Sequence, residues 1–570
     1  MVIPSALQHG HGIAAAVAPD ERPETLAAAL DEAEARFGVD EPRAVAALIA
    51  ALLPRLEGHP ALLARAYHDV AVIAHAIGDL PQAAALFELA LAAEPESTDA
   101  LEDFAAMLTE AGEPVQAITL WSAAARIRGD APEPWLGWAR AAAAAGEWPQ
   151  ALAAARRAGA LGAPGPEVAA LQEQALQGGA SATEPAAATR PGRLLIAVEQ
   201  FHPTSGGTER LAEDAAIALR DLGWEVEIVT NRLEQRTFAE HRGLAVHELD
   251  PAQAGRQLPA LIRERGYDAV LSFPAPLRWP MAATLQAPHP RPRVVVVPCI
   301  NEMVDRDLRA DRRRLRLHGG LLAGATAIGH SSLQGLDARL CEDLGLASAY
   351  VPNAVHRRAP DTEAPARLGL AAGEPFLLVV GNQWPEKDHL GLLAHLAAHD
   401  DDVRVVLVGH PVDEHPDLAA EIARRATADP RVVAAGGATP EEVAGLMAAA
   451  SLLLLPSAAE ATPLVILEAM SHGLPWLATP HCGAVHDHAG GLIVALDGFL
   501  PAARRVLADG AARAALGAAG HDHWAACYTW EQIATRYDAL LRGVHDLPPL
   551  RAPEHAVAAT AAVRAAVRGA

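Results

Sequence analysis

From about residue 20 to residue 177 the apolar positions recur at helical spacing, and almost no stretch alternates in the manner of a half-buried strand. After Arg193 the pattern changes. Short apolar runs, LLIAVEQF, VEIVTN, DAVLSF, RVVVVP, ATAIGHSS and AYVPNAV, alternate with helical stretches, and a second series follows with FLLVVGNQ, VRVVLVGH, RVVAAGG, ASLLLLPS and PWLATP. Buried strands interleaved with helices predict parallel sheets with helical crossovers. Two such series in succession predict two Rossmann-like domains facing a cleft, with ligands near the carboxyl ends of the strands. The expected layout is a helical repeat domain over 20–177, a linker over 178–192, Rossmann-like domains over 193–360 and 361–545, and a tail over 546–570. The linker rests on the small, proline-containing stretch QGGASATEPAAATRPG. The tail reads as a frayed helix or disorder and is assigned no function.

Within the helical part, Gly78, Gly112 and Gly146 lie 34 residues apart, as do Gln82, Gln116 and Gln150, and Ala83, Ala117 and Ala151. A glycine lets the chain turn between two helices, and a small alanine lets the pair approach closely. This period resembles the tetratricopeptide repeat, with three units from about His59 to Ala163 and less regular flanking helices as caps. The resemblance implies a surface for a polypeptide or protein partner; an oligomerisation or packing module is the alternative.

Composition narrows the function classes. Hydrophobic residues make up 51% of the 570, yet no apolar run approaches the ~20 residues that span a bilayer. The N-terminal stretch has no basic region ahead of its apolar part, so the expected location is the cytoplasm, with the inner face of a membrane as an alternative. A formal net charge of −24 excludes general nucleic-acid binding. One local exception is DRDLRADRRRLRLH, where Arg306, Arg309, Arg312, Arg313, Arg314 and Arg316 crowd together as a solvated helix face or a patch for an anionic acceptor or membrane. Cys299, Cys341, Cys482 and Cys527 are too scattered for a disulfide framework or zinc knuckle. The 25 histidines include no helix-spaced pair with a carboxylate, so no metal is assigned.

Candidate chemistry centres on EATPLVILEAMSHGLP. Glu460 precedes a helix that Thr462 is expected to cap, with Pro463 at its first position, and Glu468 falls one to two turns inside. Free N–H groups at the helix start suit a diphosphate, and carboxylates on either side suit hydroxyls. A sugar nucleotide has both.

Further motifs agree in order. FHPTSGGTERLAEDAAIALRDLGWEVEIVT carries Gly206 and Gly207, HSS and VPNAV with Asn353 close the first domain, and GNQWPEKDH carries Gly381, Asn382 and Lys387. Together with the glutamate pair these resemble retaining glycosyltransferase family 4, over roughly Arg193 to Leu541. The resemblance implies a GT-B architecture and a nucleotide-sugar donor. It implies donor contacts at Gly206, Gly207, Gly381, Asn382, Lys387, Thr462, Leu464, Val465, Glu460 toward the sugar and Glu468 toward the ribose. Glu460 and Lys387 would carry catalysis. Three departures stand out: Trp224 and Asn382 replace a histidine and an arginine of the family, and VVVVPCINEM places Cys299, Asn301 or Glu302 where the family commonly has a histidine.

The expected activity is a retaining, hexosyltransferase-type sugar transfer without a metal cofactor. The acceptor would be a glycan, a lipid-linked molecule or a protein, with the repeats binding a protein partner or polypeptide acceptor. Asn382 and the absent histidine motivate the alternative, a weakly catalytic or non-catalytic sugar-nucleotide-binding scaffold acting through its repeats.

Overall fold

A computed structural model of the chain describes residues 22–36, 40–182, 192–204, 206–274, 292–399 and 402–568. Most of the expected linker lies outside them. The chain divides into two compact units: Met1–Gly178 together with Arg312–Gly324, and Gly179–Asp311 together with Ala325–Ala570.

The first unit is helical. Three hairpins carry the repeat, Pro60–Ala76 with Leu80–Ala93, Thr98–Glu110 with Pro114–Arg128, and Pro132–Ala144 with Trp148–Ala160. Each turn needs its glycine, because Gly78, Gly112 and Gly146 have φ of 81°, 79° and 75°. The next N–H then reaches back to an otherwise orphaned helix carbonyl, Asp79 to Ala74 at 2.9 Å, Glu113 to Leu108 at 2.8 Å and Glu147 to Ala142 at 2.8 Å. Ala83, Ala117 and Ala151 are wholly buried. Larger rings join successive hairpins: Phe87 stacks on Phe104 at 5.2 Å. At Gly137 a Cβ would lie 2.5 Å from the Trp121 ring, so only glycine admits that indole.

The helix Arg312–Ala323 belongs to this unit, although its sequence falls in the span read as the first Rossmann-like domain. It lies against Pro114–Arg128, with Gly320 close enough that a Cβ would sit 3.2 Å from the Thr119 carbonyl. His318 is fully buried, and neither ring nitrogen has a partner. Burial, with Arg126 nearby, pushes its pKa down to about 4, so the ring packs as a neutral group. The arginine cluster is correspondingly divided. Arg309 pairs with Asp305 and Asp343, each at 2.8 Å, and exposed Arg306 lies 3.5 Å from Asp307.

The second unit contains two sheets. The first is built from β1 (Arg193–Ala197), β2 (Glu225–Asn231), β3 (Glu240–His241), β4 (Leu244–Leu249), β5 (Ala269–Ser272), β6 (Arg293–Val296), β7 (Ala327–His330) and β8 (Ala349–Tyr350) in the order β3-β4-β2-β1-β5-β6-β7-β8. All its pairs are parallel except β3 with β4. The second sheet is wholly parallel: β9 (Phe376–Val380), β10 (Arg404–Val408), β11 (Val432–Gly436), β12 (Leu452–Leu455), β13 (Trp476–Ala478) and β14 (Gly491–Ile493), ordered β11-β10-β9-β12-β13-β14. Continuous apolar runs suit strands covered on both faces, and every residue of β12 is buried.

Two C-terminal helices depart from the sequence division. Trp530–Leu541, read with the second domain, packs into the first sheet's core through Trp530, Ile533, Tyr537, Leu540 and Leu541. Trp224 serves this return: its Nε1 donates to Asp538 at 2.7 Å, and the Arg542 guanidinium lies 5.1 Å from its ring. The tail is an ordered helix, Glu554–Arg568. Gly490 N donates to Thr560 Oγ1 at 2.9 Å and Arg564 donates to Gly491 O at 3.0 Å, so this helix covers the exposed edge at β14.

Candidate functional site

Strand β9 is followed by Gly381-Asn382, and the chain then makes a short turn, Pro385–Lys387, into the helix His389–Ala397. Asp388 takes a left-handed conformation, φ 49°, and its Oδ1 caps the helix by accepting from Gly391 N at 3.1 Å. This turn aims Lys387 back across the strand end. His389 beside it is buried and held down to about 4 by burial and by the Lys387 charge, leaving lysine as the turn's cation. Asn382 is used structurally: its Oδ1 accepts from His410 N at 3.1 Å and fixes the turn after β10.

Glu460 follows β12 and forms a single parallel bridge with Cys482, its N–H donating to His481 O at 3.1 Å. Its carboxylate receives hydrogen bonds from Lys387 Nζ and from Ser457 Oγ, the latter at 2.8 Å. The following helix is Leu464–Ser471, and its cap differs from expectation. Pro463 occupies the N-cap without a side-chain hydrogen bond, while Thr462 Oγ1 bonds Ser331 Oγ of the first domain at 2.7 Å. Asn353 Nδ2 donates to Thr462 O at 3.3 Å, so this loop is tied to the first domain at two points. Thr462 is therefore a strut, and Leu464 and Val465 at the helix start line the cleft.

The first domain contributes Gly206 and Gly207 at the start of the helix Gly207–Asp221. One turn in, Arg210 forms an ion pair with Glu468 across the cleft. Burial works against the guanidinium charge, but Glu468 outweighs it and the Arg210 pKa rises. Asp214, on the same helix, is buried near Arg358 at 3.7 Å and His356 at 4.0 Å; burial raises its pKa. Ser331 is in turn fixed by Asp337, whose Oδ2 accepts from its hydroxyl at 2.7 Å.

All ten residues expected at a donor site line one cleft of about 560 Å³: Gly206, Gly207, Gly381, Asn382, Lys387, Glu460, Thr462, Leu464, Val465 and Glu468. The segment in place of the family histidine is partly present. Cys299 and Asn301 line the cleft, whereas Glu302 faces His481 at 2.9 Å outside it. Burial pushes the Cys299 thiol up to about 12, which removes it as a nucleophile. Asn301 Oδ1 accepts from Val304 N at 2.9 Å and caps the helix Glu302–Ala310.

Sequence reasoning passed over Arg210, His356, Arg358, Gly409, His410 and His472, which line the same cleft. Arg210 directly follows the quoted GGTE; the others have no local signal. Outside the lining of the cleft, His202, Glu213 and His241 converge within 4.8 Å, a spacing open to a cation although no metal is assigned from sequence. Glu213 is satisfied there by His202, His241 and Arg242, each at 3.0 Å; burial would raise its pKa, but these partners hold it lower than usual.

Residues 374–509 match the family described as "Glycosyl transferases group 1". A D-inositol 3-phosphate glycosyltransferase of Nocardia farcinica is 35% identical over 150 residues, 24% of this chain and 33% of that protein. One from a Nocardioides species is 34% identical over 206 residues, 32% of this chain and 44% of that protein. The chain thus spans less than half the length of these relatives. Among solved structures, sucrose-phosphate synthase from Thermosynechococcus elongatus aligns with a TM-score of 0.54 and 21% identity, over 62% of this chain and 98% of that one. Anabaena HepE in complex with UDP and glucose gives 0.51 and 18%, over 61% and 99%. These likenesses establish the GT-B fold for the two-sheet unit. Among the described residues no helix is long and apolar enough to cross a membrane.

Proposed function

We propose that the cleft binds a nucleotide sugar and transfers the sugar to an acceptor with retention at the anomeric carbon. The observation that carries this reading is the Lys387–Glu460 ion pair beside the open start of the helix Leu464–Ser471. A diphosphate needs a cation and backbone donors, and a sugar needs a carboxylate for its hydroxyls; the pair and the helix start provide these side by side. In support of this reading, the structural neighbour HepE is solved in one complex with UDP and glucose and in another with UDP-glucose.

On this reading the anomeric bond to the diphosphate breaks while Lys387 and the N–H groups of Leu464 and Val465 receive the charge that develops on the leaving oxygen. Glu460 holds sugar hydroxyls, and Ser457 fixes its carboxylate. The acceptor oxygen attacks from the face being vacated and passes its proton to the departing phosphate. A protein carboxylate need not form a covalent intermediate. Asn382, tied to the His410 backbone, shapes the phosphate side without adding charge.

The test is a donor screen against cell extract, reading by mass spectrometry the sugar added and the molecule receiving it. Lys387→Ala and Glu460→Ala are each expected to lower transfer by ~10²-fold or more with the fold retained. Near-normal rates in both variants would sink the assignment. The tetratricopeptide-like repeats suggest a polypeptide acceptor or protein partner, and the same spectra show whether polypeptides carry the sugar.

A further inference from the structure

We infer that Arg210 is a diphosphate ligand held in reserve, with Glu468 as its resting partner while the donor is absent. The inference rests on the donor reading above and assigns a residue from the opposite domain to the leaving group. Arg210 is the fourth residue of Gly207–Asp221, and Glu468 is the fifth of Leu464–Ser471. At ~1.5 Å per residue, Glu468 lies about 6 Å along its helix from the Leu464 start, so the bound guanidinium is within about one turn of the free N–H groups. Two helix N-termini, Arg210 and Lys387 all bring positive charge to this corner of the cleft. Glu468 and Glu460 pair directly with these two cations, Glu468 with Arg210 and Glu460 with Lys387, while Glu386 also lines the cleft and Asp214 and Glu213 act on Arg210 without an ion-pair contact.

Donor binding changes that balance. If ribose hydroxyls take the Glu468 carboxylate, Arg210 is left as a part-buried cation without its ion-pair partner and with only the weaker pull of Asp214 and Glu213, an arrangement that is costly. Asp214, four residues on along the helix, already faces Arg358 and His356. A diphosphate at the helix start removes the imbalance, and a guanidinium can grip two of its oxygens at once. Arg210 would then supply the charge that Asn382 lacks. No covalent step is added to the transfer.

The experiment is calorimetric titration of the full chain with UDP, GDP and ADP, and with the nucleoside of whichever diphosphate binds best. Arg210→Gln is expected to weaken the diphosphate at least about tenfold. The same variant should bind the nucleoside as well as the wild type or better, because Glu468 is freed. Arg210→Lys should recover most of the diphosphate affinity. Unchanged diphosphate binding in Arg210→Gln would overturn the inference, as would parallel loss of nucleoside and diphosphate, which marks a structural tie between domains. Wild-type protein that binds none of the three diphosphates would instead overturn the donor reading itself.

Discussion

At Gly409 the backbone has φ of 157°, and a Cβ would fall 1.9 Å from the Gly381 carbonyl oxygen and 3.0 Å from Asn382 N. Neither contact can relax without moving the strand ends that place Lys387. Gly409→Ala is therefore expected to destabilise the second domain by ~2 kcal/mol or more, read as a lowered unfolding midpoint. An unchanged midpoint would mean the turn adapts. The sequence presents this residue only as the glycine of VGH after an apolar strand, because the constraint comes from a loop next to it in space. The same limit applied to Asn382. Its type and position were legible, whereas its use depended on the His410 backbone. The meeting of Glu460, Glu468 and Lys387 at one cleft was legible because each sits in a local context, a loop after a strand or the second turn of a helix, that restricts where its side chain can go.

Elements were most legible where period and turn chemistry agreed. The repeat glycines predicted their turns, since positive φ after a helix is a local demand. Thr462 was misread as a cap because Thr-Pro before an apolar run carries the right local signal, while its actual partner, Ser331, is 131 residues away. The first two repeat hairpins also contain a proton-linked contact that no period reveals. His68, on Pro60–Ala76, meets Asp103 of Thr98–Glu110 at 2.8 Å and Asp69 at 3.2 Å. Burial opposes its charge, but the two carboxylates prevail and push its pKa up to about 9. A raised histidine stabilises fully below its unfolded pKa of about 6.5, and the benefit is lost as pH rises through about 9. Amide exchange in peptides spanning 60–110 should accelerate across that window, reflecting loss on the order of 2 kcal/mol. His68→Gln should flatten the response; an equally steep profile in the variant would assign it to other groups.

At the scale of the molecule, the two sheets of the second unit cannot be separated by cutting the chain between them. The helix Trp530–Leu541 fills the first sheet's core after the second sheet is complete. A chain ending at residue 529 should lose the first sheet's cooperative unfolding, measured calorimetrically, while retaining donor-side residues in its sequence. Survival of that transition would show the returning helix to be dispensable. The two alternating strand series made the double Rossmann-like pattern legible, yet the return was not, because a terminal amphipathic helix does not announce which sheet it covers. The tail was unreadable for a related reason: its alanine-rich face acquires meaning only from the Gly490-Gly491 edge beneath it.

The helix Arg312–Ala323 carries a consequence for how this protein is made. Translation reaches Gly178 well before it reaches Gly324, and at ~5–20 residues per second the interval is roughly seven to thirty seconds. During that time the repeat array has emerged, but the groove beside Thr119 and Ser122 awaits its last helix. The array is thus left unfinished on the ribosome until the first Rossmann-like domain is nearly synthesised, and assembly order links two parts of the chain that sequence alone would call independent modules.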